Sequence, residues 1–187
     1  LSQPTLLEQQ RLNFEHAAEI TAFIRDIQPD GISVSVGAEI GEVGHKNSTV
    51  EELRAFMDGY TAAIRRVGDI EGISKISVQT GTSHGGVVLP DGSIAKVKLD
   101  LDALAALSKA ARDEYQMSGA VQHGASTLPA DAFGNFARLE TAEIHLATNF
   151  QSIVFDHPAL PAALRKEMYD WLDANAESER KPGDTPE

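Results

Sequence analysis

Strand-like and helix-like stretches alternate four times along this chain, and that alternation is its strongest constraint. Parallel strands cannot be joined by a tight turn. They need a crossover of about a dozen residues or more, usually a helix. The pattern therefore predicts an α/β fold with a parallel sheet.

Ile20, Phe23, Ile24 and Ile27 fall at i, i+3, i+4 and i+7, which predicts one apolar helical face. Pro29-Asp30-Gly31 stops that helix. Ile32-Ser33-Val34-Ser35-Val36 alternates with period two and predicts the first strand, with residues 37–49 as loop. Ser48 or Thr49 is placed to cap a helix carrying Leu53, Phe56, Met57, Tyr60, Ile64 and Val67. A second strand is expected over residues 73–79, then a loop with Gly81, Gly85 and Gly86, and a turn at Pro90-Asp91-Gly92-Ser93. A helix follows from Leu101 and ends before Gly119. Ala120-Val121-Gln122 reads as a third strand, residues 129–136 as one short helix and residues 142–148 as a fourth strand. Leu164, Met168, Trp171 and Leu172 mark a last helix, with Met168 and Trp171 read as core. Residues 1–173 are expected to form the barrel-like part, and residues 174–187 a polar, flexible tail.

Composition narrows the function. The 187 residues carry 16 Lys and Arg against 28 Asp and Glu, a formal net charge of −12. That balance argues against a nucleic-acid backbone as partner. With no cysteine, disulfides and thiolate zinc sites are excluded. No apolar run nears the 18 or more residues of a membrane span, so the expected location is cytoplasmic.

Short strands closely followed by polar residues suit a (β/α) barrel, whose chemistry gathers at the C-terminal strand ends. Those positions hold Glu39 and Glu42, then Gly81-Thr82-Ser83-His84-Gly85-Gly86, then His123-Gly124-Ala125-Ser126, then His145 and Thr148. On one rim, Glu39, His84, His123 and His145 converge although distant in sequence. Neutral imidazoles with a carboxylate make a divalent-metal site, and nitrogen donors favour Zn²⁺. An isolated His is most often structural; two at successive strand ends, each followed by Gly, are a stronger signal. Gly85, Gly86, Gly124 and Ser126 read either as N–H and hydroxyl donors to a phosphate or as strand-ending turn residues. His16 reads as a surface residue, His157 before Pro158 as part of a turn, and Asp100 as part of a solvated or helix-starting run.

These blocks resemble the class II, metal-dependent fructose-bisphosphate and tagatose-bisphosphate aldolases. Glu39-Ile40-Gly41 with Gly44 is similar to the family's E-[LI]-G block, Gly81-Thr82-Ser83-His84-Gly85 to its G-T-[AS]-H-G block, and His123-Gly124-Ala125-Ser126 to its H-G-[GA]-S block. Glu143-Ile144-His145-Leu146-Ala147-Thr148 matches its K-[VM]-N-[IV]-x-T strand more loosely. The likeness extends from about residue 17 to about residue 155.

The resemblance implies a TIM (β/α)8 barrel of which the last four or so strand–helix units are present. It implies a zinc-dependent aldehyde-lyase of carbohydrate metabolism and glycolysis. Such an enzyme reversibly cleaves a ketose bisphosphate of the fructose-1,6-bisphosphate kind to dihydroxyacetone phosphate and an aldehyde. By motif, His84 and His123 are zinc ligands and Glu39 the acidic residue near the metal. Gly85, Gly124 and Ser126 hold the phosphate and, in some members, a monovalent cation. Thr148 is a further phosphate contact, and His145 stands at a substrate position where the family carries Asn. The family's third zinc-binding His and its catalytic Asp have no counterpart upstream of Glu39. The loop after the acidic block has no carboxylate until Glu51, so proton transfer falls to Glu51 or Glu42.

A chain of this length is short of the roughly 250 residues of a closed barrel. Together with a first residue that is Leu, this sets the expectation of a C-terminal part, inactive alone and completed by an N-terminal half-barrel or by a homo-oligomer. The alternatives are a non-catalytic regulatory or stabilising subunit of the same fold, and a metal-dependent hydrolase or isomerase.

Overall fold

The computed structural model of this protein describes residues 5–41, 46–81 and 99–179. They fall into two compact units, Leu1–Leu146 and Ala147–Glu187. The first contains α1 (Leu6–Ile27), β1 (Gly37–Glu39), α2 (Val50–Val67), β2 (Lys75–Val78), α3 (Leu101–Tyr115), β3 (Ala120–Gln122), α4 (Phe133–Arg138) and β4 (Glu143–Ile144). The second contains α5 (Thr148–Asp156) and α6 (Ala162–Asn175).

Side-chain oxygens start three of the helices by accepting otherwise orphaned backbone N–H groups. Thr5 accepts from Glu8 in α1, and Asp100 from Ala103 in α3. Thr49 and Glu52 form a reciprocal capping box on α2.

The four strands lie in the order β1-β2-β3-β4, all parallel. Neighbours in sequence are neighbours in the sheet, as in a singly wound barrel-type arrangement. One face is apolar. Ile76, Val78 and Ala120 meet Leu53, Phe56, Leu104, Leu107 and Phe136 in a core whose members are almost fully buried.

The helix ahead of β1 differs from the periodicity reading. It begins nearly four turns earlier, at Leu6, and buries Phe14, Ala18 and Thr21. Ile20, Phe23 and Ile27 are exposed, and only Ile24 of the expected face packs on the core. A helix this long carries two apolar stripes, and α2 takes the one with the small residues Ala17 and Ala18, where axes approach closely.

The first strand also differs. Residues 32–36 form no strand, and β1 is Gly37–Glu39, inside the expected loop. Arg25 explains the late start. Its guanidinium donates to Val34 O at 2.6 Å, Glu71 O at 2.8 Å and Gly72 O at 3.0 Å, occupying the carbonyls a longer ladder would use. Regular pairing begins only where Gly37 meets Lys75.

The short helix expected over residues 129–136 is a 3-10 turn, Ala130–Ala132, followed by α4. The fourth strand is only Glu143–Ile144, because Thr148 opens α5, a helix the periodicity did not show. In the second unit, α5 and α6 have no buried residue. Trp171 is 62% exposed and Met168 38%, so neither is core. α6 runs to Asn175, a 3-10 turn covers Glu177–Glu179, and residues 180–187 lie outside the described residues. No helix among the described residues is long and apolar enough to cross a membrane.

Tyr60 ties three elements together. It is 2% exposed, donates its hydroxyl proton to Thr21 Oγ1 of α1 at 3.2 Å and accepts from the Ile73 N–H at 3.0 Å. Burial pushes its phenol up from the ordinary value. Tyr60→Phe leaves the Ile73 N–H unsatisfied in the core. It is expected to cost about 1–3 kcal/mol, read as a lower urea midpoint at constant m.

Arg54 of α2 and Glu114 of α3 form a two-pronged surface pair, at 2.8 and 2.7 Å. The hydrogen bond and charge of Arg54 hold the Glu114 carboxyl below its ordinary range. A depressed carboxylate stabilises the fold above its unfolded-state value and loses that contribution as pH falls through the folded one. The stability gap between wild type and Arg54→Gln should be open at neutral pH and close on acidification through the carboxylate range, measured by denaturation at a series of pH values.

Candidate functional site

The second face of the sheet is polar, and strand periodicity makes it so. Side chains two apart share a face, and the register sets Glu39 beside Ser77, Ser77 beside Val121 and Val121 beside Glu143. Lys75 lies two residues before Ser77, and His123 and His145 two residues beyond Val121 and Glu143. The His145 N–H donates to Gln122 O at 2.9 Å, which carries the β3–β4 ladder past the end of β4 and holds the two histidines side by side. Their ring centroids are 4.6 Å apart with the planes tilted by 38°.

His123 also faces Ser77 and Glu39. Its Nε2 is 3.0 Å from Ser77 Oγ, and its Nδ1 is 3.8 Å from Glu39 Oε1. The end of β1 is anchored from α1, where Asn13 Nδ2 donates to Glu39 O at 2.8 Å. On the other side, His145 Nε2 is 3.0 Å from Glu143 Oε2, and Glu143 Oε1 accepts from Lys75 Nζ at 2.5 Å. Lys75, and after it His145, hold the Glu143 carboxyl below its ordinary range.

The helix starts are fastened to the same edge. Ser48 N–H donates to Gln79 O at 2.8 Å and Ser48 Oγ accepts from Gln79 N–H at 3.0 Å, clasping the entry to α2 onto the end of β2. The Asp100 N–H donates to Thr80 O at 2.9 Å, and Asp100 also accepts from Asn47 at 2.9 Å. The glycine of the E-[LI]-G block follows from this clasp. A Cβ on Gly41 would lie 2.6 Å from Gln79 N.

Of the residues singled out in the sequence, Glu39, His123 and His145 come together at the C-terminal strand ends. Gly124 follows His123 in the left-handed region, φ 68°, and starts the 3-10 turn that contains Ser126. Glu51 is in the exposed first turn of α2, close enough to Arg54 to act on its charge. Thr148 is the first residue of α5, in the second unit, where it lines a groove of about 410 Å³ with Phe155, Arg165 and Tyr169. His84, Gly85 and Glu42 lie outside the described residues. His16 is two-thirds exposed, His157 makes a turn by accepting from Ala159 N–H, and Asp100 is the helix starter.

Ser77, Lys75 and Glu143 are part of this cluster and were not singled out from sequence. The signal was present: Lys75-Ile76-Ser77-Val78 alternates polar and apolar, and Glu143 precedes His145 by two.

The donor chemistry, imidazole nitrogens with a carboxylate, fits a divalent ion. Among the described residues, no three such side chains already surround one point.

An α/β fold with a parallel sheet and a His–carboxylate cluster at the C-terminal strand ends is the arrangement in which (β/α) barrels gather their chemistry. Comparison narrows it. The family model for fructose-bisphosphate aldolase class-II matches residues 7–181, so the chain belongs to that family, whose members are lyases. A crystal structure from Coccidioides immitis, described as a candidate fructose-1,6-biphosphate aldolase, superposes with a TM-score of 0.54 at 18% identity. The alignment covers 91% of this chain and 61% of that one, so the chain spans about three fifths of its length. At this identity the likeness speaks for the fold. Comparison with curated proteins gave no match.

Gly124→Ala would force a Cβ into left-handed backbone immediately after His123. It is expected to lower stability by about 1–2 kcal/mol, measured by thermal unfolding.

Proposed function

We propose that this chain carries the metal and substrate site of a zinc-dependent aldolase acting on a phosphorylated ketose of the fructose-1,6-bisphosphate kind, within carbohydrate metabolism. The observation that carries the reading is the approach of Glu39 and His123 to 3.8 Å at adjoining strand ends. These are residues of two separate family motifs, brought together by a register that passes through Ser77.

In this reading His123 and the motif residue His84 hold the ion, with Glu39 as the acidic group beside it. When bound, Zn²⁺ supplies Lewis-acid polarisation of the ketose carbonyl. Ser77 keeps the His123 ring oriented through Nε2. Gly124 and Ser126 offer donors to a phosphate, with Gly85 and Thr148 as further contacts and a monovalent cation as an accessory. His145 faces the substrate side, and Glu51 or Glu42 moves the proton.

Two surfaces favour further strand–helix units next to β1. The outer edge of β1 pairs with no strand among the described residues, and α1 exposes Leu12, Ile20, Phe23 and Ile27 beside it. On that basis the site is completed by another part of a TIM (β/α)8 barrel or by a second copy, and the chain alone has little activity.

The replacement of the family's Asn by His145 favours one second reading, a subunit that keeps the fold and the metal without cleavage. Zinc content and aldol cleavage in the protein as the cell makes it decide between them. His123→Ala is expected to remove stoichiometric zinc and to reduce cleavage of fructose-1,6-bisphosphate by more than about 100-fold. Cleavage retained in that variant would overturn the aldolase reading; stoichiometric zinc with no cleavage in the wild type would establish the second.

A further inference from the structure

The Lys75–Glu143–His145 chain has no role in the reading above, and its hydrogen bonding dictates one. An ionised carboxylate only accepts, so at 3.0 Å from Glu143 Oε2 it is Nε2 of His145 that carries the proton. In the singly protonated ring the lone pair is then on Nδ1. Lys75, at 2.5 Å and mostly buried, keeps Glu143 ionised and in place. A carboxylate accepting from the remote nitrogen of an imidazole is the arrangement that orients metal-binding histidines and raises their basicity.

The neighbouring ring is held by a hydroxyl in place of a carboxylate. His123 has Nε2 against Ser77 Oγ and turns Nδ1 toward Glu39 Oε1. Two donors bound at about 2.1 Å to one ion are at most about 4.2 Å apart. The 3.8 Å between His123 Nδ1 and Glu39 is inside that limit. His145 stands 4.6 Å from His123, centroid to centroid, and its side chain is 48% exposed. The donors do not already surround one point, so the three need a turn of this exposed ring to share one ion.

We propose that His145 is a protein ligand of the metal, with Glu143 as the residue that positions it and Lys75 as the residue that holds Glu143. This rests on the metal-site reading above. It gives His145 a task beyond substrate contact. It also supplies from the last strand a nitrogen donor in addition to those of the two His motifs. The ligand class is a divalent ion that accepts nitrogen and oxygen donors, Zn²⁺ or Co²⁺.

The test titrates the metal-free chain with Zn²⁺ against a chromophoric chelator, and with Co²⁺ by its visible absorption. Wild type, His145→Asn, Glu143→Gln and His123→Ala are compared. His145→Asn is expected to weaken Zn²⁺ binding by more than about 100-fold and to change the Co²⁺ spectrum, and Glu143→Gln to weaken it by about 10–100-fold. Equal affinity and an unchanged spectrum in His145→Asn, with binding lost in His123→Ala, would overturn the role of His145 and leave the metal site standing. No stoichiometric metal in the wild type would overturn both. Thermal unfolding of the metal-free variants checks that each folds. Imidazole ¹⁵N resonances of the unaltered chain add a reading free of substitution: zinc should shift Nδ1 of His145, and an Nδ1 that does not move counts against the proposal.

Discussion

The parallel register through Glu39, Ser77, Val121 and Glu143 is the constraint on which the rest of this structure depends. A strand sends alternate side chains to opposite faces, so a slip of one residue would exchange every one of them. In the observed register, Ile76, Val78 and Ala120 enter the core with Leu53, Phe56 and Leu104, while Lys75, Ser77, His123 and His145 share the other face. The apolar half is what specifies the pairing energetically, since each such side chain contributes about 1.5–3 kcal/mol when fully buried. The site is therefore positioned by residues that never touch it.

Short strands need help to hold a register, and helices provide it. β1 has three residues, yet its end is bonded by Asn13 of α1, and its approach is fastened by Arg25 to three carbonyls. Tyr60 bonds the same α1 to the segment entering β2. Ser48 and Asp100 bring the starts of α2 and α3 to the far end of β2. Asn13, Ser48 and Asp100 act at the C-terminal ends of β1 and β2, and Arg25 and Tyr60 at the opposite ends, so the register is stiffened at both ends before any ligand is considered. That stiffness matters because a 1 Å misplacement in a reacting site is costly.

The sequence made the alternation of elements legible, along with the third strand to the residue, a cap at Ser48 or Thr49, which is Thr49, and the rim positions of Glu39, His123 and His145. What it concealed has two physical sources. Periodicity counts apolar residues but does not say which of two apolar stripes a neighbour will cover, and so Ile20, Phe23 and Ile27 were assigned to the wrong face. Strand length depends on the partner: residues 32–36 have the composition of a strand, but Arg25 takes the carbonyls opposite them. The network around Glu143 lay hidden for a related reason. Lys75 and Glu143 are far apart in sequence and meet only because β3 separates their strands by one place.

The two departures in the last strand read as one change rather than two. The family pattern K-[VM]-N places a cation and an amide where this chain has Glu143 and His145. Neither substitution is neutral by itself. A carboxylate at 143 without Lys75 would lose the ammonium that donates to it at 2.5 Å and holds it in place. An imidazole at 145 without Glu143 would have no acceptor fixing which nitrogen carries its proton. With all three present, the cation stands on β2, the anion on β4, and the carboxylate fixes which ring nitrogen carries the proton. At position 145 an imidazole stands where the family pattern has an amide. Beside it, Ser77, His123 and Glu39 bring the family's acidic and H-G-[GA]-S motifs side by side.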